Sequence, residues 1–129
     1  MKVESRPGAG KTALLIDDNP AIRKILMRVF LSNGFKTCVE ADTGKEGIEL
    51  AQQTKPDVII LDFAMPGMNG LQAAVELRKL YPTTPIILFT LYGDGPMSAE
   101  ASNVGINLVV PKTVPPNILL DKVHQLMGD

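Results

Sequence analysis

The sequence predicts an α/β fold built on a doubly wound, five-stranded parallel sheet. Five short apolar runs recur along the 129 residues, and helical patterns lie between them. The runs are continuous and rich in β-branched residues, which is typical of strands that are buried on both faces. Strands that alternate with helices connect through right-handed crossovers, and these place helices on both faces of the sheet.

The five predicted strands are segments without a charged residue. They cover residues 13–16, 37–39, 58–61, 86–89 and 108–110, with the sequences ALLI, TCV, VIIL, IILF and LVV. A chain of this length fits one domain with a sizeable core. We predict that residues 1–12 form an irregular extension and residues 13–129 the domain.

Capping signals and apolar spacing predict the helices. Asn19 and Pro20 supply a cap and a first-turn proline for the first helix. Thr43 and Glu46 have the spacing of a capping box, and Asn69 precedes a third helix. The apolar residues expected to face the core are Ile22, Ile25, Leu26 and Val29 in the first helix, Leu71, Ala74, Val75 and Leu80 in the third, and Leu119, Val123 and Leu126 in the last.

The segment between the last two strands has the weakest helical signal. DGPMSAEASNVG, at 94–105, contains glycine, proline and little apolar periodicity. We expect a short, mobile helix here, which fits either an element that switches between two packings or a frayed loop.

Composition argues against several function classes. The formal net charge is -1 and aromatic residues make up 5% of the chain, which disfavours direct nucleic-acid binding. No apolar run approaches the length of a membrane span, and the N-terminus lacks the apolar core of a secretory signal. The single cysteine, Cys38, cannot form an internal disulfide, and we expect a buried, inert thiol. We therefore expect a cytoplasmic protein that binds neither nucleic acid nor membrane.

Polar side chains follow four of the five predicted strands. Asp17 and Asp18 follow the first strand, Asp62 the third and Thr90 the fourth, and Lys112 lies just beyond the fifth. Ligand sites of open α/β sheets form outside the carboxyl ends of the strands. If these strands are neighbours, three carboxylates, a hydroxyl group and an ammonium group converge there.

This set of groups suits phosphoryl transfer to a carboxylate. Clustered carboxylates need a compensating cation, and oxygen ligands that leave room for water favour Mg²⁺. The metal would neutralise a phosphoryl group that arrives at a carboxylate nucleophile. Lysine adds a mobile positive charge and threonine a hydroxyl donor. The alternative is that Asp17, Asp18 and Asp62 only cap helices or turns, which explains any one of them better than the whole set.

Two segments resemble the receiver domain of bacterial two-component response regulators. VIILDFAMPGMNGL, at 58–71, is similar to the family's loop around the phosphorylated aspartate. LLIDDNPAIRKIL, at 14–26, resembles the family's acidic-pair strand and first helix. The resemblance runs from Ala13 to about Met127 and implies a flavodoxin-like (βα)5 fold with strand order 2-1-3-4-5.

The resemblance also implies a role for each polar residue. Asp62 would accept the phosphoryl group, Lys112 would pair with the acceptor carboxylate or its phosphate, and Thr90 would move toward the phosphoryl group. Mg²⁺ would be held directly by Asp18, Asp62 and the backbone carbonyl of Ala64, and mainly through water by Asp17.

The implied partners are proteins. A phosphohistidine of a sensor histidine kinase or a phosphotransfer protein would be the donor. Phosphorylation would repack the face formed by helix 4, strand 5 and helix 5, which would bind a downstream protein target or output domain. A phosphorylation-dependent dimer is a further expectation.

Several positions depart from the family's pattern. Thr113 follows the lysine where proline is usual, Val109 stands where an aromatic switch residue is common, and Leu91 is bulky where a small residue is usual. Tyr92 is the nearest aromatic residue that could substitute. Ala64 cannot orient an attacking water through its side chain, so we predict slow hydrolysis of the phosphorylated form. These departures leave open an interaction module that does not depend on phosphorylation.

An enzyme alternative rests on GAGKT at 8–12, which is similar to the end of a nucleotide-binding P-loop. That loop requires Gly-x-x-x-x-Gly-Lys-Ser/Thr between a strand and the helix that it opens. Ser5 occupies the position of the first glycine, and a predicted strand follows the motif. We therefore prefer a phosphoaspartate site to a nucleotide site.

Overall fold

Five strands and five helices alternate in the described part of the chain. The computed structural model describes the backbone of residues 10–91 and 95–128, and the side chains of 10–91 and 97–128. The strands are β1 (Thr12–Ile16), β2 (Thr37–Ala41), β3 (Val58–Leu61), β4 (Ile86–Thr90) and β5 (Leu108–Pro111). The helices are α1 (Pro20–Ser32), α2 (Gly44–Thr54), α3 (Gly70–Leu80), α4 (Gly95–Asn103) and α5 (Pro116–Met127).

The strands form one parallel sheet in the order β2-β1-β3-β4-β5. This confirms the predicted doubly wound, five-stranded sheet with strand order 2-1-3-4-5. The order reverses direction between β1 and β3, and a crevice for ligands opens at such a switch point outside the carboxyl ends of the strands. The topology therefore places any site beside the residues that follow β1 and β3.

Apolar layers cover both faces of the sheet. Leu14 packs with α2, α3 and α4 on one face, whereas Leu15 packs with α1 and α5 on the other. Adjacent side chains of a strand point to opposite faces, so a strand covered on both sides must be apolar throughout. The two-sided burial explains why the strands read as continuous apolar runs.

The helix starts follow the predicted caps, with one difference. Asn19 accepts hydrogen bonds at the start of α1, and the Thr43 hydroxyl oxygen accepts one from the Glu46 N–H at 3.1 Å. The Glu46 carboxylate accepts from the backbone of Asp42 instead of the Thr43 N–H. The predicted capping box at α2 is therefore only half formed.

Helical spacing assigned too many residues to the core. Four of the predicted core residues are more than a third exposed, because the sheet covers only one side of each helix and buries a narrow stripe. The exposed residues are Ile25 at 43%, Val75 at 36%, Leu80 at 41% and Leu126 at 37%.

Cys38 is half-buried in β2 rather than fully buried as predicted. Burial, followed by the nearby charge of Glu40, raises the pKa of its thiol to about 11. The thiol therefore stays protonated at neutral pH, which agrees with the expected lack of reactivity.

The N-terminal region and α4 bear on several of the other expectations. α4 has nine residues, fewer than the other described helices. Thr12 begins β1, so GAGKT is followed by a strand rather than the helix that a P-loop requires. Residues 1–9 lie outside the described ranges, and the division into 1–12 and 13–129 stays a prediction.

None of the helices in the described ranges has the length and apolar character that crossing a bilayer demands.

We predict that Gly70→Ala destabilises the protein far more than Gly44→Ala. Both glycines are the first residues of capped helices. A Cβ at Gly70 would overlap the backbone carbonyl oxygen of Asp62 and lie 2.9 Å from the Phe63 Cα, whereas a Cβ at Gly44 would meet mainly the flexible Met68 side chain at 3.2 Å. We expect Gly70→Ala to lower the free energy of unfolding by about 2 kcal/mol or more.

Urea denaturation of the two variants and the wild type measures this difference. Gly44→Ala is the matched control, and it should change the free energy of unfolding by less than about 1 kcal/mol. Equal losses in the two variants would contradict the close approach of α3 to the segment that carries Asp62.

Candidate functional site: an acidic cleft at the carboxyl edge

The register of β1 and β3 sets two carboxylates side by side. Ile16 pairs with Leu61, so Asp17 and Asp62 are the next residues on adjacent strands. The Asp62 N–H donates to the Ile16 carbonyl at 2.9 Å, which extends the ladder to the acidic residue itself. Asp17 and Asp62 are only 4% and 5% exposed. The sheet thus holds two acidic groups almost out of contact with water.

Asp18 joins these two residues from the solvent side. Asp17, Asp18 and Asp62 each offer one carboxylate oxygen, and the three oxygens lie within 4.8 Å of one another. Asp18 is exposed, so the cluster opens to solvent on its side. Three carboxylate oxygens at this spacing fit a hard divalent cation such as Mg²⁺, which prefers oxygen ligands.

Backbone donors orient the two buried carboxylates. Oδ1 of Asp17 accepts a hydrogen bond from the Asn19 N–H at 2.9 Å, and Oδ1 of Asp62 accepts one from the Phe63 N–H at 2.8 Å. Each acid therefore shapes its own turn, as the capping alternative proposed. That alternative accounts for one oxygen of each carboxylate and leaves the second oxygen for other contacts.

Lys112 occupies the second oxygen of both buried acids. Its Nζ atom lies 2.7 Å from Oδ2 of Asp17 and 3.2 Å from Oδ2 of Asp62. Burial lowers the pKa of Lys112, but Asp17 and Asp62 more than offset this effect, so the pKa is raised above its ordinary value. The lysine therefore stays charged, and one ammonium group faces two buried carboxylates.

Asp62 is a buried acid whose pKa is raised. Burial raises its pKa, and the negative charge of Asp17 raises it further. Lys112 and the Phe63 N–H lower the pKa of Asp62 by a smaller amount, so the net direction is upward. Lys112 thus compensates the buried negative charge only in part, which is the condition under which an additional cation is favourable.

Thr90 lies beside this cluster at the end of β4. It is fully buried and pairs with Pro111 on β5. Its carbonyl oxygen accepts a hydrogen bond from the Lys112 N–H at 2.9 Å. This bond places Lys112 at the edge of the sheet although Thr113, rather than proline, follows it.

The cluster opens into a cleft of about 240 Å³, which we name the acidic cleft. Its lining residues are Asp18, Asn19, Asp62, Ala64, Leu91 and Lys112. The Leu91 side chain is 70% exposed at the rim, and the cleft gives solvent access to the otherwise buried Asp62. Tyr92, predicted as a substitute aromatic, lies outside the described residues.

Sequence reasoning missed a second layer beneath the acidic cleft. Arg23 donates from Nη1 to the backbone carbonyl of Asp17 and from Nε to a carboxylate oxygen of Glu40 at 3.0 Å. This bridge ties α1 to the end of β1 and to β2. No local sequence pattern predicts these contacts of Arg23, because they depend on the pairing of β1 with β2.

Comparison with known proteins shows which family the chain is similar to. The family model described as the response regulator receiver domain matches residues 13–124. Chemotaxis protein CheY of Thermotoga maritima is 30% identical over 117 residues, which cover 91% of this chain and 98% of that protein. Nitrate/nitrite response regulator protein NarL of Escherichia coli is 35% identical over 115 residues, which cover 88% of this chain. The chain spans only 53% of NarL.

The solved structures agree on the fold. Chemotaxis protein CheY4 of Vibrio cholerae matches with a TM-score of 0.86 at 28% identity, over 92% of this chain and 99% of that one. This likeness confirms the flavodoxin-like fold that the two sequence segments implied. Because the family model covers most of the chain, and strand order and neighbouring structures agree with it, the protein belongs to the response regulator receiver domain family.

Proposed function

We propose that this protein is a signalling switch that accepts a phosphoryl group on Asp62 with the help of Mg²⁺. Membership of the receiver family supports phosphorylation-based signalling in general. The observation that carries the specific proposal is the contact of Lys112 with both Asp17 and Asp62 at the base of a solvent-accessible cleft. The donor is a phosphohistidine of a sensor histidine kinase or a phosphotransfer protein.

The ionised carboxylate of Asp62 acts as the nucleophile. One of its oxygens attacks the phosphorus atom, the bond between phosphorus and the donor imidazole nitrogen breaks, and the electron pair returns to that nitrogen. Lys112, which lies 3.2 Å from Oδ2 of Asp62, is close enough to stabilise the negative charge on the transferred group. The hydrogen bond from the Phe63 N–H holds the other oxygen and fixes the orientation of the carboxylate.

The metal ligands in this proposal come from two segments of the chain, one after β1 and one after β3. Asp18, Asp62 and the backbone carbonyl of Ala64 would hold Mg²⁺ directly, and Asp17 would hold it through water. When bound there, Mg²⁺ supplies positive charge that offsets both the acidic cluster and the phosphoryl oxygens. The three carboxylate oxygens within 4.8 Å of one another support this ligand set.

Thr90 and Lys112 couple phosphorylation of Asp62 to the rest of the fold in this proposal. A phosphoryl group adds negative charge and acceptor oxygens at Asp62, and the Thr90 hydroxyl and the Lys112 ammonium group reorganise around it. Thr90 ends β4, Lys112 directly follows β5, and α4 follows β4 in the chain. The face formed by α4, β5 and α5 then changes its packing and binds a downstream protein target or output domain.

The first prediction concerns the phosphoryl acceptor. Incubation with Mg²⁺ and acetyl phosphate should add one phosphoryl group to the wild type, and intact-protein mass spectrometry measures it. Asp62→Asn should abolish the gain because the nucleophile is lost, and EDTA should suppress it. Asp57→Asn is the matched control, since Asp57 lies before β3, at the opposite edge of the sheet, where its carboxylate accepts from the Thr12 N–H.

Two outcomes of this experiment would contradict the proposal. A mass gain that persists in Asp62→Asn would place the acceptor elsewhere. No gain in the wild type at saturating donor and Mg²⁺ would favour an interaction module that does not depend on phosphorylation, the alternative suggested by Val109 and Thr113.

The second prediction concerns stability against pH in the presence of EDTA. The pKa of Asp62 is raised in the folded protein above its ordinary value of 3.8, so the folded state binds that proton more tightly than the unfolded chain does. The wild type therefore loses stability as pH rises from 3.8 through the raised value. Asp62→Asn lacks this loss and should be more stable than the wild type at pH 7.

Urea denaturation at several pH values tests this prediction. The difference between Asp62→Asn and the wild type should shrink toward acid pH, where the wild-type carboxyl group is also neutral. Asp57→Asn should not reproduce the gain. A variant that is less stable than the wild type at pH 7 would show that Lys112 outweighs the repulsion from Asp17.

The third prediction concerns the lifetime of the phosphorylated form. Ala64 lines the acidic cleft but has no side-chain group that could orient a water molecule, and the apolar Leu91 stands at the rim. Hydrolysis should therefore be slow, and Ala64→Asn should shorten the lifetime by up to about tenfold, because an amide can position the attacking water. Ala64→Val, which is larger but apolar, should not shorten it. Equal lifetimes in the wild type and Ala64→Asn would refute the idea.

A further inference from the structure

The guanidinium group of Arg78 engages all five of its N–H donors. Arg78 lies in the last turn of α3. Its Nε and Nη2 atoms donate to the Gly105 carbonyl at 3.0 and 2.6 Å, and Nη2 also donates to Oδ1 of Asn107 at 3.0 Å. Nη1 donates to the carbonyls of Tyr81 and Thr84 at 2.7 and 2.8 Å. We name this set of contacts the Arg78 clamp.

The clamp holds Gly105, which lies two positions beyond the last residue of α4. Gly105 has a φ of +91°, its N–H donates to the Ser102 carbonyl at 3.1 Å, and the Ile106 N–H donates to the Ala101 carbonyl at 2.9 Å. These two bonds form a Schellman motif. A Cβ on Gly105 would lie 2.9 Å from Cγ and Nε of Arg78, so glycine is needed both for the conformation and for the approach of the arginine.

Charge and connectivity make this clamp strong. The cation lies at the carbonyl ends of α3, through Tyr81, and of α4, through Gly105, where helix dipoles favour positive charge. Oδ1 of Asn107 also accepts a hydrogen bond from the Ile86 N–H at 2.8 Å, which links the clamp to the start of β4. The C-terminal end of α4 is therefore tied to α3, to the loop before β4 and to β4 itself.

Few of the described side chains of α4 are buried. Met97 and Ala101 are buried against the sheet, whereas the other described side chains of α4 are exposed. A groove of about 440 Å³ separates α3 from the last turn of α4, with Val75 and Lys79 on one side and Ser102 on the other. Beside this groove, the Arg78 side chain connects the end of α3 to Gly105 beyond α4.

The opposite end of α4 lies close in sequence to the acidic cleft. α4 begins at Gly95, four positions after Leu91 at the cleft rim and five after Thr90. We propose that Arg78 is a positioning residue that fixes the C-terminal end of α4 as a pivot, so that a change at Thr90 and Leu91 displaces mainly the N-terminal end. The pivot rests on the proposed function, whereas the anchoring of α4 by Arg78 does not.

Amide hydrogen exchange of the full chain, measured by NMR, tests the anchoring. The reporters are the N–H groups of Val104, Gly105 and Ile106, which close the end of α4. In unphosphorylated Arg78→Met these amides should exchange about tenfold faster or more, while β1 and β3 amides keep their protection. Arg78→Lys should give a smaller acceleration, because lysine keeps the charge but has fewer donors in a different geometry.

Lys79→Met is the matched control, because it removes the neighbouring positive charge from a side chain that is 69% exposed. It should leave the reporter amides unchanged. If Arg78→Met does not fold, the exchange rates of the reporter amides in Arg78→Lys test the anchoring of α4 instead. Uniform acceleration in every strand and helix, or no acceleration at the three reporters, would overturn the anchoring role and reduce Arg78 to a contributor to overall stability.

Phosphorylation of the wild type with acetyl phosphate tests the pivot. Exchange should change for amides in the first half of α4 and stay constant for Val104 and Ile106, and in Arg78→Lys the change should spread to the last turn. Mass spectrometry should show equal phosphorylation of both proteins, because the clamp lies far along the sheet from Asp62. Equal changes at both ends of α4 in the wild type would overturn the pivot. A wild type that takes no phosphate would overturn the proposed function and the pivot together, and the unphosphorylated samples would still decide the anchoring.

Discussion

Two buried carboxylates that share one lysine are the electrostatic constraint on which the carboxyl edge depends. Asp17 and Asp62 cannot separate, because the pairing of β1 with β3 sets them side by side and backbone N–H groups hold one oxygen of each. Lys112 contacts both, but one positive charge cannot neutralise two carboxylates. Burial, followed by the negative charge of Asp17, raises the pKa of Asp62. A site with this imbalance gains from a bound cation and responds strongly to any further charge placed on Asp62.

The departures from the family's pattern have unequal consequences in this geometry. Lys112 reaches both acids with Thr113 behind it, because the Lys112 N–H is bonded to the Thr90 carbonyl and the preceding residue still belongs to β5. The absence of proline after the lysine therefore does not disturb the contacts within the acidic cleft. Val109 matters more, since it lines a groove of about 180 Å³ together with Ser98 and other small residues of α4. Small side chains thus form the α4 side of this groove.

The sheet and the acidic cluster were readable in the sequence because each follows from local rules. Strands covered on both faces must be apolar throughout, and polar residues directly after parallel strands collect at one edge. The contacts of Arg78 and Arg23 follow no such rule, since each arginine bonds to backbone or side-chain atoms that only the tertiary fold brings near. Helical spacing placed Ile25 and Leu80 in the core for a related reason: periodicity marks an apolar face but does not measure how much of that face the sheet covers.

The two edges of the sheet therefore differ in how completely their charges are satisfied. At the carboxyl edge, negative charge exceeds the single buried lysine, whereas at the opposite edge every donor of Arg78 has an acceptor. A further negative charge perturbs a cluster whose charges are incompletely compensated more than it perturbs a network in which every donor has an acceptor. α4 runs from the carboxyl edge of the sheet to the opposite edge, and few of its described side chains are buried. Under the proposed function, a phosphoryl group on Asp62 therefore displaces mainly the end of α4 next to the cleft. The direction of that movement follows from the contacts at the two ends of the helix and not from the sequence of the helix itself.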